Sequence, residues 1–313
     1  MNMHPVVPFE PIRTDAIPQG PGWVGQVKWD GVRVLTYWDG HCVKLFNRKK
    51  HDRTAHYPEL REISAYCQAE SVILDGEVIA LGPDGKPSFY EVMRRDGLRR
   101  MEKVPQVQKA VPVTYMVFDI LYLNREWITD SPLTERQHLL NTVITPNSHV
   151  QLVENFPDAQ ALYQVIEAKG MEGIVIKDLS SRYLINGKDQ RWRKKKFYRD
   201  IIAVVGGVTL RNNLVNALLL GLYDEKGRFW YIGHAGTGKL SQNDWRSLTE
   251  RIRPLMQAEM PFVNKPTRAA NAVWLRPEIT AKIQFAEWVD GHTLRQPSIQ
   301  GFVDVPARLC VFE

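Results

Sequence analysis

Lys28-Trp29-Asp30-Gly31-Val32-Arg33 sets a primary amine beside a turn dipeptide and a second cation. Such a lysine is a nucleophile only as the free amine. From an ordinary pKa of ~10.4, deprotonation near neutral pH costs about three pKa units, roughly 4 kcal/mol. Neighbouring cations reduce that cost by disfavouring the charged form. Arg33 and the basic run at 191–196 can supply them if folding brings them close. Taken alone, the segment reads as readily as a surface hairpin. A second pattern lies at 72–81, where unbroken alternation puts Ile73, Asp75, Glu77 and Ile79 on one strand face. Two acids between isoleucines is an unusual place for charge. Basic residues gather twice: Lys44, Arg48, Lys49, Lys50 and Arg53 against Asp52, and Arg182, Lys188, Arg191, Arg193, Lys194, Lys195, Lys196 and Arg199 against Asp189. A charge run is ordinarily a solvated face. The aromatics inside these two, Phe46, Trp192, Phe197 and Tyr198, favour a polyanion surface.

Six segments in order resemble the motifs of the covalent nucleotidyltransferases, the ATP-dependent DNA ligases in particular. They are Lys28-x-Asp30-Gly31 with Arg33, then Phe46-Asn47-Arg48, Leu74-Asp75-Gly76-Glu77 and Phe118-Asp119-Ile120-Leu121, and finally Glu172-Gly173-Ile174-Val175-Ile176-Lys177 and Trp192-Arg193-Lys194-Lys195-Lys196. Phe285-Ala286-Glu287-Trp288 through Gly301 is similar to the barrel domain of bacterial ligases. One Lys-x-Asp-Gly occurs by chance; six motifs in sequence do not.

The resemblance implies roles. Lys28 would attack the α-phosphate of ATP and carry AMP covalently, with Asp30 in the same catalytic motif. Arg33 would hold phosphate. Val27, Glu77 and Phe118 would bind the nucleotide, Glu77 at the ribose and Phe118 stacked on adenine. Arg48 would contact nucleotide and the 5′-phosphate of a nick, with Lys49 and Lys50 gripping DNA. Glu172 and Glu77 would be the ligands of Mg²⁺, whose hardness suits carboxylate oxygen. Lys177, Lys194 and Lys196 would neutralise phosphate charge. Lys195 would point away from Lys194 and Lys196 in an extended strand. The family's closing motif, an Arg-x-Asp-Lys-like stretch, aligns with Val303-Asp304-Val305-Pro306, which has neither cation; Arg308 is the nearest substitute.

The elements that must position these groups are mostly short strands. Residues 24–28, 32–38 and 41–46 are β-prone runs separated by Asp30-Gly31 and Asp39-Gly40, dipeptides favoured in tight hairpins. Tyr57, Leu60, Ile63 and Cys67 suggest a helix over 54–67. Strands follow at 72–81 and 113–123, then a helix with Ser131 as cap and Pro132 as first residue, a helix at 158–169 ending at Gly170, and a strand at 173–177. Past residue 200 come strands at 201–210, 217–223 and 228–233, a helix at 242–256 capped by Ser241 and Asp244, and strands at 273–275, 280–288 and 308–312. The expected fold is α+β: an antiparallel-sheet nucleotidyltransferase domain, ATP-grasp-like, at 1–200, then an OB-fold β-barrel at 201–313. Few residues precede Lys28, so a minimal two-domain arrangement is expected.

Composition narrows the classes. The chain has 313 residues with 44% hydrophobic and 24% charged, which excludes a disordered chain. No apolar run reaches the length of a membrane span, and no secretory signal is legible. Cys42, Cys67 and Cys310 are scattered and odd in number, so a reducing, cytoplasmic setting is the expectation. A monomer is expected. Lys+Arg 41 against Asp+Glu 35 gives a net +6, which suits a nucleic-acid partner. Gly233-His-Ala-Gly-Thr-Gly238-Lys239-Leu240 nearly spells a P-loop, but Leu240 replaces the required hydroxyl, so a turn-rich loop is expected. The leading function is sealing of nicked duplex DNA by an ATP-dependent DNA ligase. The alternatives are an RNA ligase, a GTP-using capping enzyme, or a catalytically idle DNA-binding protein.

Overall fold

The computed structural model describes all residues except Met1, Asn2, Thr237, Arg268, Glu287, Asp290, Gly291 and Glu313. Glu287 of the barrel-like segment and Thr237 of the near-P-loop therefore lie outside the described residues. Contacts divide the chain into Met1–Phe197 and Tyr198–Glu313. No helix among the described residues is long and apolar enough to cross a membrane.

The first unit is built on two sheets. One runs Glu10–Arg13, Lys188–Lys196, Gly173–Asp178, Trp23–Val27. The other runs Val43–Asn47, Val32–Trp38, Val72–Ile79, Thr114–Leu123, Glu126–Trp127. Pairing is antiparallel except where Glu10–Arg13 meets Lys188–Lys196 and where Val150–Leu152 joins Thr114–Leu123.

Cross-strand partners share a face, and this sorts the first sheet. Gln26 lies opposite Val175, which lies opposite Lys194; Lys177 lies opposite Trp192, and Gly173 opposite Lys196. Alternation puts Lys28 with Gln26 on this face. Val27, Ile174 and Ile176 face the other way, packed with Leu162 and Ile166 of the helix Ala159–Ala168. Gly25 is on that side too, where an added Cβ would come 3.0 Å from Ala159. On the second sheet Leu35, Tyr37 and Ile73 form one cluster with Trp192 of the first and with Phe9 and Tyr183 from the segments leading into its strands, so the two sheets enclose a common interior.

Several expectations change in this unit. Residues 54–67 form two 3₁₀ turns, Pro58–Leu60 and Ile63–Ala65, not an α-helix. The buried positions Tyr57, Leu60, Ile63 and Tyr66 are three apart, which suits three residues per turn. Asp39-Gly40 joins paired strands, but Asp30-Gly31 is a crossing between the two sheets, not a hairpin. Gly31 is needed because a Cβ would stand 2.3 Å from the Val78 carbonyl oxygen. The helix expected from Pro132 begins one residue later, at Leu133, because Pro132 has the extended backbone of a cap.

The second unit is built on a bulged antiparallel sheet in the order Phe229–Ala235, Leu214–Tyr223, Arg199–Arg211, Ala272–Phe285, Met256–Gln257, with Ser298–Val303 also paired to Ala272–Phe285 and a separate small pair, Trp288–Val289 with Thr293–Leu294. The helix Gln242–Ile252 opens on the Ser241–Asp244 capping box and gives way to a 3₁₀ turn at Arg253–Leu255, where Pro254 ends it short of the expected 256. The expected strands 273–275 and 280–288 are largely one strand, Ala272–Phe285, with Pro277 in a register shift between Trp274 and Ile279. The expected strand 308–312 is a 3₁₀ turn, Ala307–Leu309, and a single bridge at Val311. The near-P-loop begins in the last three residues of the strand Phe229–Ala235 and ends before the helix starting at Gln242.

Candidate active site

Lys28 follows the strand Trp23–Val27, its amide donating to the Gly173 carbonyl (3.0 Å). Glu172 precedes the strand Gly173–Asp178, and Lys196 ends the strand Lys188–Lys196. Three neighbouring strand ends thus deliver three charges to one spot. Lys28 Nζ donates to Glu172 Oε2 at 2.8 Å, and Lys196 Nζ to Oε1 at 2.7 Å. The Glu172 side chain is 10% exposed and that of Lys28 21%. Gly173 makes the approach possible: its φ is +146°, and a Cβ there would lie 2.1 Å from the Lys195 carbonyl oxygen.

Lys194 is half-buried on the same face as Lys196. Lys195 goes the other way, its Nζ donating to the Asp15 carbonyl and lying 4.9 Å from the Tyr163 ring centre. Val27 also faces the helix Ala159–Ala168, so its side chain is turned from this face and only its backbone remains for a ligand there. Asp30 is half-buried in the crossing that leads to Arg33.

Arg33, expected to hold phosphate, makes four hydrogen bonds within the protein. Nε and Nη2 clamp Asp75 at 2.8 and 2.5 Å, Nη1 donates to the Phe9 carbonyl at 2.6 Å, and Nη2 also reaches Tyr183 Oη at 3.2 Å. Burial opposes its charge, but Asp75 more than offsets this and its pKa is raised. Burial, then Asp75, raises the Tyr183 phenol well above its ordinary value, so it stays a donor to Asp75 Oδ2 at 2.7 Å. Glu77 stands opposite Arg33 on the next strand, half-buried.

Phe118, half-buried on Thr114–Leu123, lies edge-on to Trp192 with ring centres 6.1 Å apart. Lys177, expected at phosphate, has its Nζ between these rings, 3.8 Å from the Trp192 centre and 4.4 Å from Phe118. The residue is 1% exposed, and Nζ has no hydrogen-bond partner among the described residues. Burial pushes its pKa from 10.5 down to about 7. Beside it, Arg136 clamps Asp119 with Nε and Nη2 at 2.8 and 3.0 Å, both side chains fully buried.

The residues expected to grip DNA lie on the turn after the strand Val43–Asn47. Arg48 Nη1 pairs with Glu10 Oε1 at 3.1 Å. Lys49 and Lys50 are exposed, and Asn47 Oδ1 fixes the turn by accepting from the Lys49 and His51 amides, both at 3.0 Å. Sequence reasoning passed over Tyr183 and Arg136, whose partners are distant in the chain, and gave Trp192 no more than a place in a basic motif.

A family model described as ATP dependent DNA ligase domain matches residues 11–196, and one described as ATP dependent DNA ligase C terminal region matches 211–304. The multifunctional non-homologous end joining DNA repair protein LigD of Mycobacterium tuberculosis is 31% identical over 89% of this chain and 36% of its own length. DNA ligase 2 of Methanosarcina acetivorans is 31% identical over 83% of this chain and 47% of its own. The chain thus spans between a third and a half of these curated relatives. A solved structure described as mycobacterial DNA ligase D complexed with ATP and MES superposes with a TM-score of 0.73 at 28% identity, covering 98% of both chains. With the motifs, the two matched regions and this superposition in agreement, the chain belongs to the ATP-dependent DNA ligase family.

Proposed function

We propose that the protein seals 5′-phosphate/3′-hydroxyl nicks in duplex DNA at the expense of ATP. Lys28 Nζ attacks the α-phosphorus of ATP; the N–P bond forms as the bond to the bridging oxygen breaks and pyrophosphate leaves. The Nζ proton departs by way of Glu172 Oε2, which already accepts it at 2.8 Å. A 5′-phosphate oxygen of the nick then takes the AMP from Lys28, restoring the amine. The 3′-hydroxyl finally attacks the 5′-phosphorus, closing the phosphodiester and releasing AMP. Lys194 and Lys196 offset the charge that builds on phosphate oxygens. Phe118 offers a face to adenine and Glu77 an acceptor to the ribose hydroxyls.

Among the described residues no group of three or more His, Cys, Asp and Glu side chains gathers for a metal. Glu172 and Glu77 suit Mg²⁺ in its usual manner, with one or two carboxylates and the remaining positions filled by substrate phosphate and water. Bound there, Mg²⁺ would supply charge neutralisation on the triphosphate. Arg48, Lys49, Lys50 and the basic strand Lys188–Lys196 are the proposed grip on DNA.

The observation that carries this reading is the meeting of Lys28, Glu172 and Lys196 at three strand ends. Intact mass after incubation with ATP tests it, followed by sealing of a nicked duplex. Wild type gains AMP and seals; Lys28→Ala gains nothing, yet joins a pre-adenylylated nick in part. A wild type without an adduct overturns the reading, and a GMP adduct in its place points to capping chemistry.

A further inference from the structure

A third basic group lies apart from the two named above. Arg94-Arg95-Asp96-Gly97-Leu98-Arg99-Arg100 ends the helix Phe89–Asp96 and forms the loop after it. Folding sorts these charges. Arg95 is fully buried; its Nη1 donates to the Val111 carbonyl at 3.0 Å, and its Nη2 to the His56 carbonyl at 2.7 Å and Glu59 Oε2 at 3.0 Å. Asp96 Oδ1 accepts from Arg53 Nε at 3.1 Å and from Tyr57 Oη at 2.9 Å. Arg94 pairs with Glu91 at 2.6 Å. Arg99 and Arg100 are exposed, and neither side chain makes an ion pair or hydrogen bond among the described residues. The inner charges serve the fold and the outer two do not.

The loop is fixed against the segment that follows the Lys49–Lys50 turn. A carbonyl only accepts, so His56 donates from Nε2 to the Leu98 carbonyl at 3.1 Å. Arg53 joins the two segments: its amide donates to the Leu45 carbonyl at 2.7 Å while its guanidinium holds Asp96. Four exposed cations, Lys49, Lys50, Arg99 and Arg100, are therefore presented from adjoining segments in one fixed relation. Duplex DNA offers a phosphate charge every ~1.7 Å of its axis, and a guanidinium fork matches phosphate oxygens with two bonds. No exposed apolar side chain lies between Asp96 and Arg100 to anchor a protein instead.

We propose that Arg99 and Arg100 grip phosphates of the duplex beyond those met by the Lys49–Lys50 turn, lengthening the footprint on one arm of the nick. This rests on the reading that the turn meets DNA. The loop adjoins the turn on one side, through Arg53, so a duplex lying on both leaves the turn in one direction. Such contacts set register on the duplex without reading its sequence. The enzyme thereby selects nicks by the length of duplex on that arm, a property that the chemistry at Lys28 does not sense.

The test is binding of the full chain to a nicked duplex with a 3′-dideoxy end, titrated across salt. Arg99→Gln with Arg100→Gln is compared with Arg125→Gln with Lys169→Gln, which removes two charges from exposed sites elsewhere in the unit. The arginine pair should weaken binding about tenfold at ~0.15 M salt and flatten the slope of log affinity against log salt by about two, at ~0.9 per contact. The control pair should leave the slope in place, and Arg99→Lys with Arg100→Lys should retain most of it. Shortening one arm of the duplex should erase the gap between wild type and the arginine variant, and shortening the other should not. Intact mass after incubation with ATP reports that each variant is folded enough to load Lys28. An unchanged slope in the Gln pair, or an equal change in the control pair, overturns the inference, as does a gap that responds alike to both arms. With either result, a wild type that seals nicks loses only the footprint; a wild type without adduct or sealing loses the nick-sealing reading instead.

Discussion

Glu172 holds two lysines, one on each carboxylate oxygen, at side-chain exposures of 10–21%. Asp75 and Asp119 each hold one arginine in a two-point clamp, deeper in the same unit. The chemistry of the donors explains the difference. An ammonium is a point charge that can exchange one oxygen for another, whereas a guanidinium fork matched to a carboxylate gives up two aligned bonds to leave. Charge meant to move is thus carried by lysine at the accessible end, and charge meant to stay is carried by arginine in the interior. Lys177 lies between the two regimes: a lysine, but placed as deeply as the arginines and with no acceptor among the described residues.

Four variants test this contrast. Lys28→Ala should abolish adduct formation entirely while shifting stability by less than about 1 kcal/mol, as for a partly exposed ion pair; a large fall in denaturation midpoint would make the Glu172 cluster scaffold after all. Asp119→Ala should do the reverse. Stranding the buried Arg136 charge should cost about 3–5 kcal/mol in urea denaturation, and a loss under about 1 kcal/mol would show the clamp to be dispensable.

Lys177→Met sharpens the middle case through pH. The folded pKa of about 7 lies below the ordinary 10.5, so between these values the unfolded chain holds a proton that the folded protein has shed. Stability from this group therefore rises with pH across that window, and its cost is complete below about 7. The Met variant should melt higher than wild type at pH 6–7, with the gain fading by about pH 10. A gain independent of pH would mean that Lys177 does not titrate there. The smallest effect belongs to the exposed turn: Lys49→Glu with Lys50→Glu should leave the Lys28 adduct intact and flatten the slope of log affinity for nicked DNA against log salt by about one per lost phosphate contact. An unchanged slope would make this turn a solvated face.

Much of this contrast was invisible in the sequence. The alternation at 72–79 correctly flagged Asp75 and Glu77 as charge on an apolar face, but Asp75's partners Arg33 and Tyr183 are 42 and 108 residues away, and no local period encodes them. Lys28 and Glu172 are 144 residues apart, and only the ordered motifs implied that they meet. Local rules erred where packing overruled them. The spacing at 57–66 fits 3₁₀ turns better than an α-helix, and Asp30-Gly31 is shaped by the Val78 carbonyl instead of a hairpin. The cap at Ser241 with Asp244 was more legible, since it acts through neighbours three residues apart. The resemblance put Arg33 and Lys177 at phosphate; what it could not convey is how deeply each is buried, Arg33 against Asp75 and Lys177 against Trp192.

Lys195 carries a lesson about phase. Between Lys194 and Lys196, it reaches the Asp15 carbonyl and the Tyr163 ring on the opposite side of the sheet. Three consecutive lysines make the strand chemically monotonous, so charge alone does not say which of them meets Glu172; the odd–even parity of the strand does. A single-residue insertion after Trp192 would preserve every charge, yet would deliver Lys195's neighbours to Tyr163 and Lys195 itself toward Glu172. The aromatic on one side and the carboxylate on the other thus act as a parity check on a repetitive stretch, and the composition of the motif matters less than the reading frame in which the sheet displays it.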